Sequence, residues 1–132
     1  MIAIDTNVLV RILIDDVDEI AQTHAARALA KAVRQVYIPQ IVQVECVWVL
    51  ETAYQLDKAT VVGLLEHLYA NSAFILQHAD LFYAALEQFR NHNVDFSDCL
   101  ILAESQCFGA PLHTFDKRLG KQPGVILVRI NE

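Results

Sequence analysis

Residues 1–9 read MIAIDTNVL, a short apolar run that is interrupted by one acidic residue, Asp5. The segment Ile2–Asp5 predicts a first β-strand, and the pattern from about Val8 to Ile14 predicts a helix directly behind it. An acid where a strand gives way to a helix has two readings: it caps the helix, or it belongs to a site. The opening therefore predicts an α/β fold with a candidate site residue at the end of the first strand.

Beyond this start, short apolar runs alternate with longer helical patterns along the chain. The other predicted strands are Val36–Ile38, Phe74–Leu76, Val94–Asp95, Pro111–Phe115 and Val125–Ile130. The other predicted helices are Val17–Gln35, Gln40–Gln55, Lys58–Ala70, Ala79–His92 and Ser97–Phe108. This alternation is typical of an α/β domain with a mainly parallel central sheet. A length of 132 residues fits a single domain, residues 1–132.

The amino-acid composition restricts the classes of protein to which the chain can belong. Apolar residues make up 55% of the chain, which favours a sheet buried on both faces or a protein interface. No uncharged stretch is long enough to span a membrane, and the N-terminus lacks the basic region of a signal peptide, so we expect a cytoplasmic protein. The three cysteines, Cys46, Cys99 and Cys107, have neither disulfide nor zinc spacing, and we expect all of them to be buried.

Acidic residues recur where predicted strands end. Asp5 ends the first strand, Asp95 and Asp98 lie where a short strand passes into a helix, and Asp116 follows the strand that ends at Phe115. Since sites in open parallel sheets form beyond the carboxyl ends of the strands, these acids are expected at one edge of the sheet. Capping by Asp95 and turn formation by Asp116 are the alternative readings.

Glu45 lies in a different setting, inside a strongly apolar helical run. Its helical neighbours are Ile41, Trp48 and Val49, so it is expected on an apolar face, where an unpaired carboxylate is costly to bury. The alternative is a half-exposed residue on a polar stripe with Gln43, but the spacing of these two residues places them on different faces. We therefore interpret Glu45 as a functional acid.

Several carboxylates in one place repel one another unless a cation lies between them. Mg²⁺ and Mn²⁺ prefer oxygen ligands and are often held by a few carboxylates together with a substrate phosphate. Such a site can activate a water molecule and neutralise charge on a phosphodiester. The acids thus predict a metal-dependent hydrolase, although the net charge of −6 does not by itself favour a nucleic-acid partner.

The ordered set of motifs resembles the PIN domain family. MIAIDTNVL resembles the opening motif of that family, and Glu45 resembles its second acid. The stretches DFSDCLILAE, from Asp95, and LHTFD, ending at Asp116, resemble its third and fourth motifs. The resemblance covers essentially the whole chain, and it implies a Rossmann-like α/β/α fold and hydrolysis of RNA with Mg²⁺ or Mn²⁺.

The resemblance also implies roles for individual residues. Asp5, Glu45 and Asp98 match the core metal-binding and catalytic acids of the family, and Asp116 matches a fourth, more variable acid. Three further residues are implied as supporting groups: Asn7, Thr114 and, as an accessory acid, Asp95.

The opening DTNVLVR is similar to that of VapC toxins from type II (VapBC) toxin–antitoxin modules. That subgroup implies an endoribonuclease that cleaves RNA by metal-activated water, a homodimer, and a cognate VapB-like antitoxin. Arg11, Lys117 and Arg118 are possible RNA contacts, and for each the alternative is an ordinary surface cation.

Other functions were weighed against the same residues. A PIN-like nuclease of RNA processing outside a toxin–antitoxin system, and a catalytically silent PIN-like binding module, remain the alternatives. A haloacid-dehalogenase-type phosphatase would need a second Asp at position 7, where this chain has Asn7. A zinc hydrolase is disfavoured because the five histidines are scattered without ligand spacing.

Overall fold

The computed structural model describes residues 1–131 as a mixed α/β protein, which confirms the predicted fold class. Within that range the strands are β1 (Ile2–Ala3), β2 (Val36–Ile38), β3 (Phe74–Leu76), β4 (Leu112–Thr114) and β5 (Val125–Leu127). The helices are α1 (Thr6–Leu13), α2 (Ile20–Ala32), α3 (Gln40–Thr52), α4 (Lys58–Ala70), α5 (Ala79–Asn91) and α6 (Phe96–Cys107). A single 3₁₀ turn, Leu119–Lys121, precedes β5.

The chain divides into two compact units, an N-terminal unit of Met1–Ala79 and a C-terminal unit that begins at Asp80. The N-terminal unit contains a three-stranded sheet in the order β1-β2-β3, and both strand pairs are parallel. Val36 of β2 pairs with Ile2 on one side and with Phe74 on the other. Parallel pairing follows from the chain order, because helices cross over between consecutive strands.

The N-terminal unit buries the apolar side chains of its strands and helices. In β2, Val36 and Ile38 lie on one face and are almost fully buried, whereas Tyr37 on the opposite face is half-buried. Helix α1 packs against α2 and α3, and α3 packs against α4. Asp57 caps α4, with its carboxylate accepting from the amide of Thr60. These contacts fix the end of β1, where the first candidate acid lies.

The C-terminal unit has its own parallel pair, β4 with β5, in which Leu112 faces Val125. Helices α5 and α6 meet through aromatic rings: Phe96 makes edge-on contacts with Phe82 and Phe89, at centroid distances of 5.7 Å in both cases. Such edge-to-face pairs add to the stabilisation from apolar burial. Phe96 is the first residue of α6, so this packing fixes the helix start that carries two candidate acids.

Some sequence predictions are wrong in detail. Val94–Asp95 is not a strand; Val94 lies in a bend, and Asp95 is the N-cap of α6. The predicted helix Val17–Gln35 is shorter, because residues 17–18 form a turn, Glu19 is the N-cap and the helix ends at Ala32. Gly109 has φ of +66°, as the predicted helix stop requires.

The cysteine prediction is correct for two of three residues. Cys46 and Cys99 are buried, and burial raises the pKa of the Cys46 thiol to about 12. Cys107 is exposed, because it lies at the end of α6 where the chain turns away from the core. Among residues 1–131, no helix combines the length and the apolar character that a membrane span requires.

Candidate active site

Asp5 lies two residues beyond β1, at the start of α1, as the sequence predicted. Its carboxylate Oδ1 accepts a hydrogen bond of 3.1 Å from the amide of Val8, so Asp5 is the N-cap of α1. The cap uses one carboxylate oxygen, and the side chain is exposed. The capping reading is therefore correct, but it leaves a second oxygen that can bind a ligand.

Glu45 is connected to this helix start through Thr6, the residue next to Asp5. The Thr6 hydroxyl donates a hydrogen bond of 3.0 Å to Oε1 of Glu45. Because Thr6 is the first residue of α1 and Glu45 lies in the middle of α3, this bond joins two elements that also pack together. Asp5 and Glu45 are thus brought to one place in the N-terminal unit by residues from two separate elements.

The expectation that Glu45 lies on a buried apolar face is wrong. Glu45 is exposed, and its helical neighbours Ile41 and Trp48 are 65% and 66% exposed. The apolar face that the periodicity indicated is a surface of this chain, so Glu45 has no burial penalty to offset. Its candidate role rests on its position next to Thr6 and Asp5.

Gln43, the residue compared with Glu45 in the sequence, is fully buried. Its side-chain amide donates to the carbonyl oxygen of Ile38, the last residue of β2, and to that of Gln77, which follows β3. Gln43 and Glu45 do face opposite ways, as the spacing predicted. Through these hydrogen bonds Gln43 connects α3 to the ends of the strands. The bonds therefore position the exposed face of α3 that carries Glu45.

In the C-terminal unit, Asp95 and Asp98 lie at the positive N-terminal end of α6. Asp95 is the N-cap residue, but its side chain makes no capping hydrogen bond. The pKa of the Asp98 carboxyl lies above its ordinary value, because partial burial disfavours the charged form and because Asp95 and Asp116 repel it. These three acids therefore form a group whose charges oppose one another.

Asp116 lies two residues beyond β4, where it also organises a turn. Its Oδ1 accepts from the amides of Arg118 and Leu119 at 2.8 and 2.9 Å, and its own amide donates to the hydroxyl of Thr114. Thr114 thus holds the backbone of Asp116, a supporting contact within the turn. The turn reading of Asp116 is correct, and it fixes the direction of the carboxylate that repels Asp98.

A cleft of about 330 Å³ opens beside Asp5 between α1 and α2 of the N-terminal unit. Residues from both helices line it, among them Asn7 and Arg11 from α1 and Gln22 from α2. Asn7 is exposed there. The cleft therefore leaves the Asp5 end of α1 open on a side that both polar and apolar residues line.

Arg11 is engaged by groups of the same unit. Its guanidinium donates to Gln22 and, at 2.5 Å, to the hydroxyl of Tyr54, and it lies 3.8 Å from the carboxylate of Asp16. These contacts give Arg11 a structural role that does not require RNA. Lys117 and Arg118, by contrast, are exposed in the turn after Asp116.

Sequence reasoning overlooked two residues of this region. Thr6 follows Asp5 directly, but its contact with Glu45 spans 39 residues and has no local signal in the sequence. Tyr54, which bridges Arg11 and Asp16, carried no local signal, because its partners are 43 and 38 residues away.

Within residues 1–131, no three His, Cys, Asp or Glu side chains are arranged so that they alone would hold a metal ion. The acids form two groups, Asp5 with Glu45 in the N-terminal unit, and Asp95, Asp98 and Asp116 in the C-terminal unit. Mg²⁺ keeps several waters and binds through one or two carboxylates plus substrate phosphate, so either group has suitable donors.

The model of one family, the PIN domain, matches residues 2–124. The chain belongs to the PIN domain family. PIN domains form a nuclease superfamily whose members are generally metal-dependent and typically use divalent ions. The match covers both compact units, so the acids of both lie within the PIN domain. No curated protein matches the chain.

Proposed function

We propose that this PIN domain is a Mg²⁺- or Mn²⁺-dependent endoribonuclease. The observation that carries the proposal is the position of Asp98 beside the like charges of Asp95 and Asp116, within a domain of a nuclease superfamily. A fold gains nothing from holding like charges together, so such a group points to a cation or a cationic ligand. The alternative of a silent binding module gives these charges no purpose.

The donor chemistry fits the metal that the family implies. Every candidate ligand is a carboxylate, and hard divalent cations prefer oxygen donors. The proposed ligands are Asp5 and Glu45 in the N-terminal unit and Asp98 and Asp116 in the C-terminal unit, with Asp95 as an accessory charge. When bound, a divalent cation supplies water activation and neutralises charge on the phosphodiester.

The remaining steps belong to residues of the chain. Thr6 donates to Oε1 of Glu45 and so orients that carboxylate. The capping bond to Val8 and the turn bonds from Arg118 and Leu119 hold the carboxylates of Asp5 and Asp116 in fixed directions. Carboxylates that are already oriented lose little freedom when they bind a ligand, which favours a preorganised site. Lys117 and Arg118 are exposed and are proposed phosphate contacts.

We further propose that the nuclease is the toxin of a type II toxin–antitoxin module, a homodimer that a VapB-like antitoxin inhibits. The resemblance of DTNVLVR to VapC toxins supports this assignment. Exposed apolar side chains such as Val17, 84% exposed, and Ile20, 56% exposed, offer surface for protein partners. If the assignment is correct, expression of the wild-type chain arrests growth of a bacterial host, and Asp5→Asn relieves the arrest.

The nuclease is tested by incubating purified protein with a mixed cellular RNA pool in Mg²⁺, in Mn²⁺ and in EDTA. Asp5→Asn is the central variant, because Asn caps a helix as well as Asp does and the fold is retained. Asp18→Asn, which also removes one exposed carboxylate near α2, is the matched control.

Cleavage that requires the metal, persists in Asp18→Asn and disappears in Asp5→Asn supports the proposal. Cleavage that survives Asp5→Asn shows that the site assignment is wrong. Folded protein that cuts no RNA with either metal favours the binding module instead.

A further inference from the structure

One face of α3 exposes an aromatic ring next to a candidate acid. Ile41, Glu45 and Trp48 are spaced i, i+4 and i+7, and all three are exposed. Trp48 is 66% exposed and is the only tryptophan of the chain. Tryptophan side chains are on average highly buried. An indole that is exposed to solvent next to a candidate acid therefore points to a ligand.

We propose that Trp48 is a stacking platform for an unpaired base of the RNA substrate, next to the phosphate that binds at Glu45. The inference rests on the proposed nuclease function and deepens it, because it names the part of the substrate that this face recognises. Stacking needs a base whose face is free, so the substrate is single-stranded at this position.

The spacing on the helix suits one nucleotide. Residues three apart on a helix have Cβ atoms about 5–6 Å from each other, so Trp48 lies one turn from Glu45. A phosphate and its base are joined through a single sugar, and a phosphate held at Glu45 therefore leaves its base within reach of the indole. The Thr6 hydrogen bond fixes Glu45, so the distance between phosphate position and ring is set by the fold.

The net charge of the chain favours a contact with RNA that does not depend on phosphate. The net charge is −6, and of the ten Lys and Arg residues Arg11, Arg27 and Arg90 pair with carboxylates of the chain. The acidic balance weakens the general attraction for phosphates, which usually supply most of the affinity for nucleic acid. Base stacking on an aromatic ring contributes affinity that does not depend on net charge.

A second copy of the chain is the main competing occupant of this face. Glu45 lies between Ile41 and Trp48, so a protein contact over the two apolar side chains would cover its carboxylate. Burying a carboxylate that has no cation beside it is costly, and a two-fold contact over this face would bring two such carboxylates close together. A nucleotide covers the same face without that cost, because its sugar and phosphate leave the acid beside solvent and cation. The observations thus favour RNA.

The test uses the fluorescence of Trp48, which reports this position alone because the chain has no other tryptophan. Wild-type protein in Mg²⁺ is mixed in a stopped-flow instrument with a short single-stranded oligoribonucleotide of mixed sequence, or with the same strand in a duplex. We expect a rapid, saturable loss of fluorescence with the single strand before cleavage, and a much smaller change with the duplex.

Kinetics of variants provide the second readout. Trp48→Ala should raise KM for single-stranded RNA on the order of tenfold while kcat changes little, because stacking binds substrate and transition state alike. Trp48→Phe, which keeps an aromatic face, should recover most of the loss. Phe108→Ala removes another highly exposed aromatic side chain, 89% exposed, and serves as the matched control with unchanged KM.

The outcomes separate this inference from the proposed function. If wild type cleaves RNA but fluorescence and the KM of Trp48→Ala do not change, the stacking role is wrong and the nuclease stands. If wild type cuts nothing, the nuclease is wrong, and stacking survives only if the single strand still quenches Trp48. A fluorescence change on dilution without RNA, with a loss of dimer mass in Trp48→Ala, would assign this face to a second copy and overturn the inference.

Discussion

At the scale of single residues, the acids of the candidate site also shape the backbone around them. Asp5 caps α1, and Asp116 accepts two amides of the turn that follows β4. In each case one carboxylate oxygen is used by the backbone, and the side chain is held in one direction. The local and the functional readings of these acids are therefore compatible, and substitutions must be chosen to separate them.

Substitutions at Asp5 allow that separation. Asp5→Ala removes both the cap of α1 and the candidate metal ligand, and loss of a cap costs about 1 kcal/mol of unfolding free energy. Asp5→Asn keeps the cap and removes only the charge, so its stability should stay within a few tenths of a kcal/mol of wild type. Urea unfolding of the three proteins measures this difference, and both variants should lack nuclease activity.

If Asp5→Ala proves as stable as Asp5→Asn, the bond to Val8 adds nothing to stability. Should Asp5→Asn retain full activity instead, the charge of Asp5 would have no part in catalysis.

At the scale of elements, a polar network joins three segments of the N-terminal unit. Tyr54, just beyond α3, donates its hydroxyl to Asp16 at 2.7 Å and accepts from Arg11 of α1. The Tyr54 hydrogen bond is the main reason why the pKa of Asp16 is below its ordinary value. Burial is the first reason why the pKa of Tyr54 is raised, and the bond to Asp16 is the second. The network ties the loop after α1 to both helices.

Stability should therefore depend on pH through Asp16. Since its folded pKa is lowered, its contribution is present above its unfolded pKa near 4 and is lost as pH falls through the lower folded value. Tyr54→Phe removes the hydroxyl, so the variant should be less stable than wild type at pH 7 and lose less stability on acidification. Thermal unfolding at a series of pH values between about 7 and 3 tests both.

Tyr37→Phe, which removes a hydroxyl from β2, is the control and should follow the wild-type profile. An unchanged acid profile in Tyr54→Phe would show that the bond to Asp16 does not survive in solution.

The elements also show which features of the fold can be predicted from the sequence. Helix and strand periodicity placed most elements correctly, with α4 and β3 correct at both ends, because local patterns determine them. Local sequence patterns did not determine which face of each element is buried. Ile41 and Trp48 are as apolar as core residues, and only the packed neighbours decide that Gln43 points inward and Glu45 outward.

The same limit applies to the candidate site. Asp5 and Asp116 could be predicted because an acid at a strand end is visible in sequence. The contact between Thr6 and Glu45 spans 39 residues and depends on how α1 and α3 pack, which no local pattern encodes. The strand predicted at Val94–Asp95 is wrong for a related reason. A pattern of two residues is too short to distinguish a strand from the bend before a capped helix.

At the scale of the whole molecule, the acids of the C-terminal unit affect the stability of the fold. The folded pKa of Asp98 is raised by burial and by repulsion from Asp95 and Asp116, so the fold is weakened as pH rises and Asp98 ionises. A cation that binds the acids only in the folded protein reverses this loss through mass action. The unfolding free energy should then rise by about 2.7 kcal/mol when the free ion exceeds its Kd by about a hundredfold.

Asp98→Asn distinguishes this account from a purely structural role for the acids. Without metal, the variant should be more stable than wild type at neutral pH, where Asp98 is ionised, because one repelling charge is gone while the side chain keeps its size. In Mn²⁺ the order should reverse, since the variant loses a proposed ligand and most of the metal-dependent rise in Tm. Asp18→Asn should respond to Mn²⁺ as wild type does. A variant that is destabilised without metal, or that keeps the full Mn²⁺ response, would remove Asp98 from the metal site, because a carboxylate held only for structure gains no stability when its charge is lost.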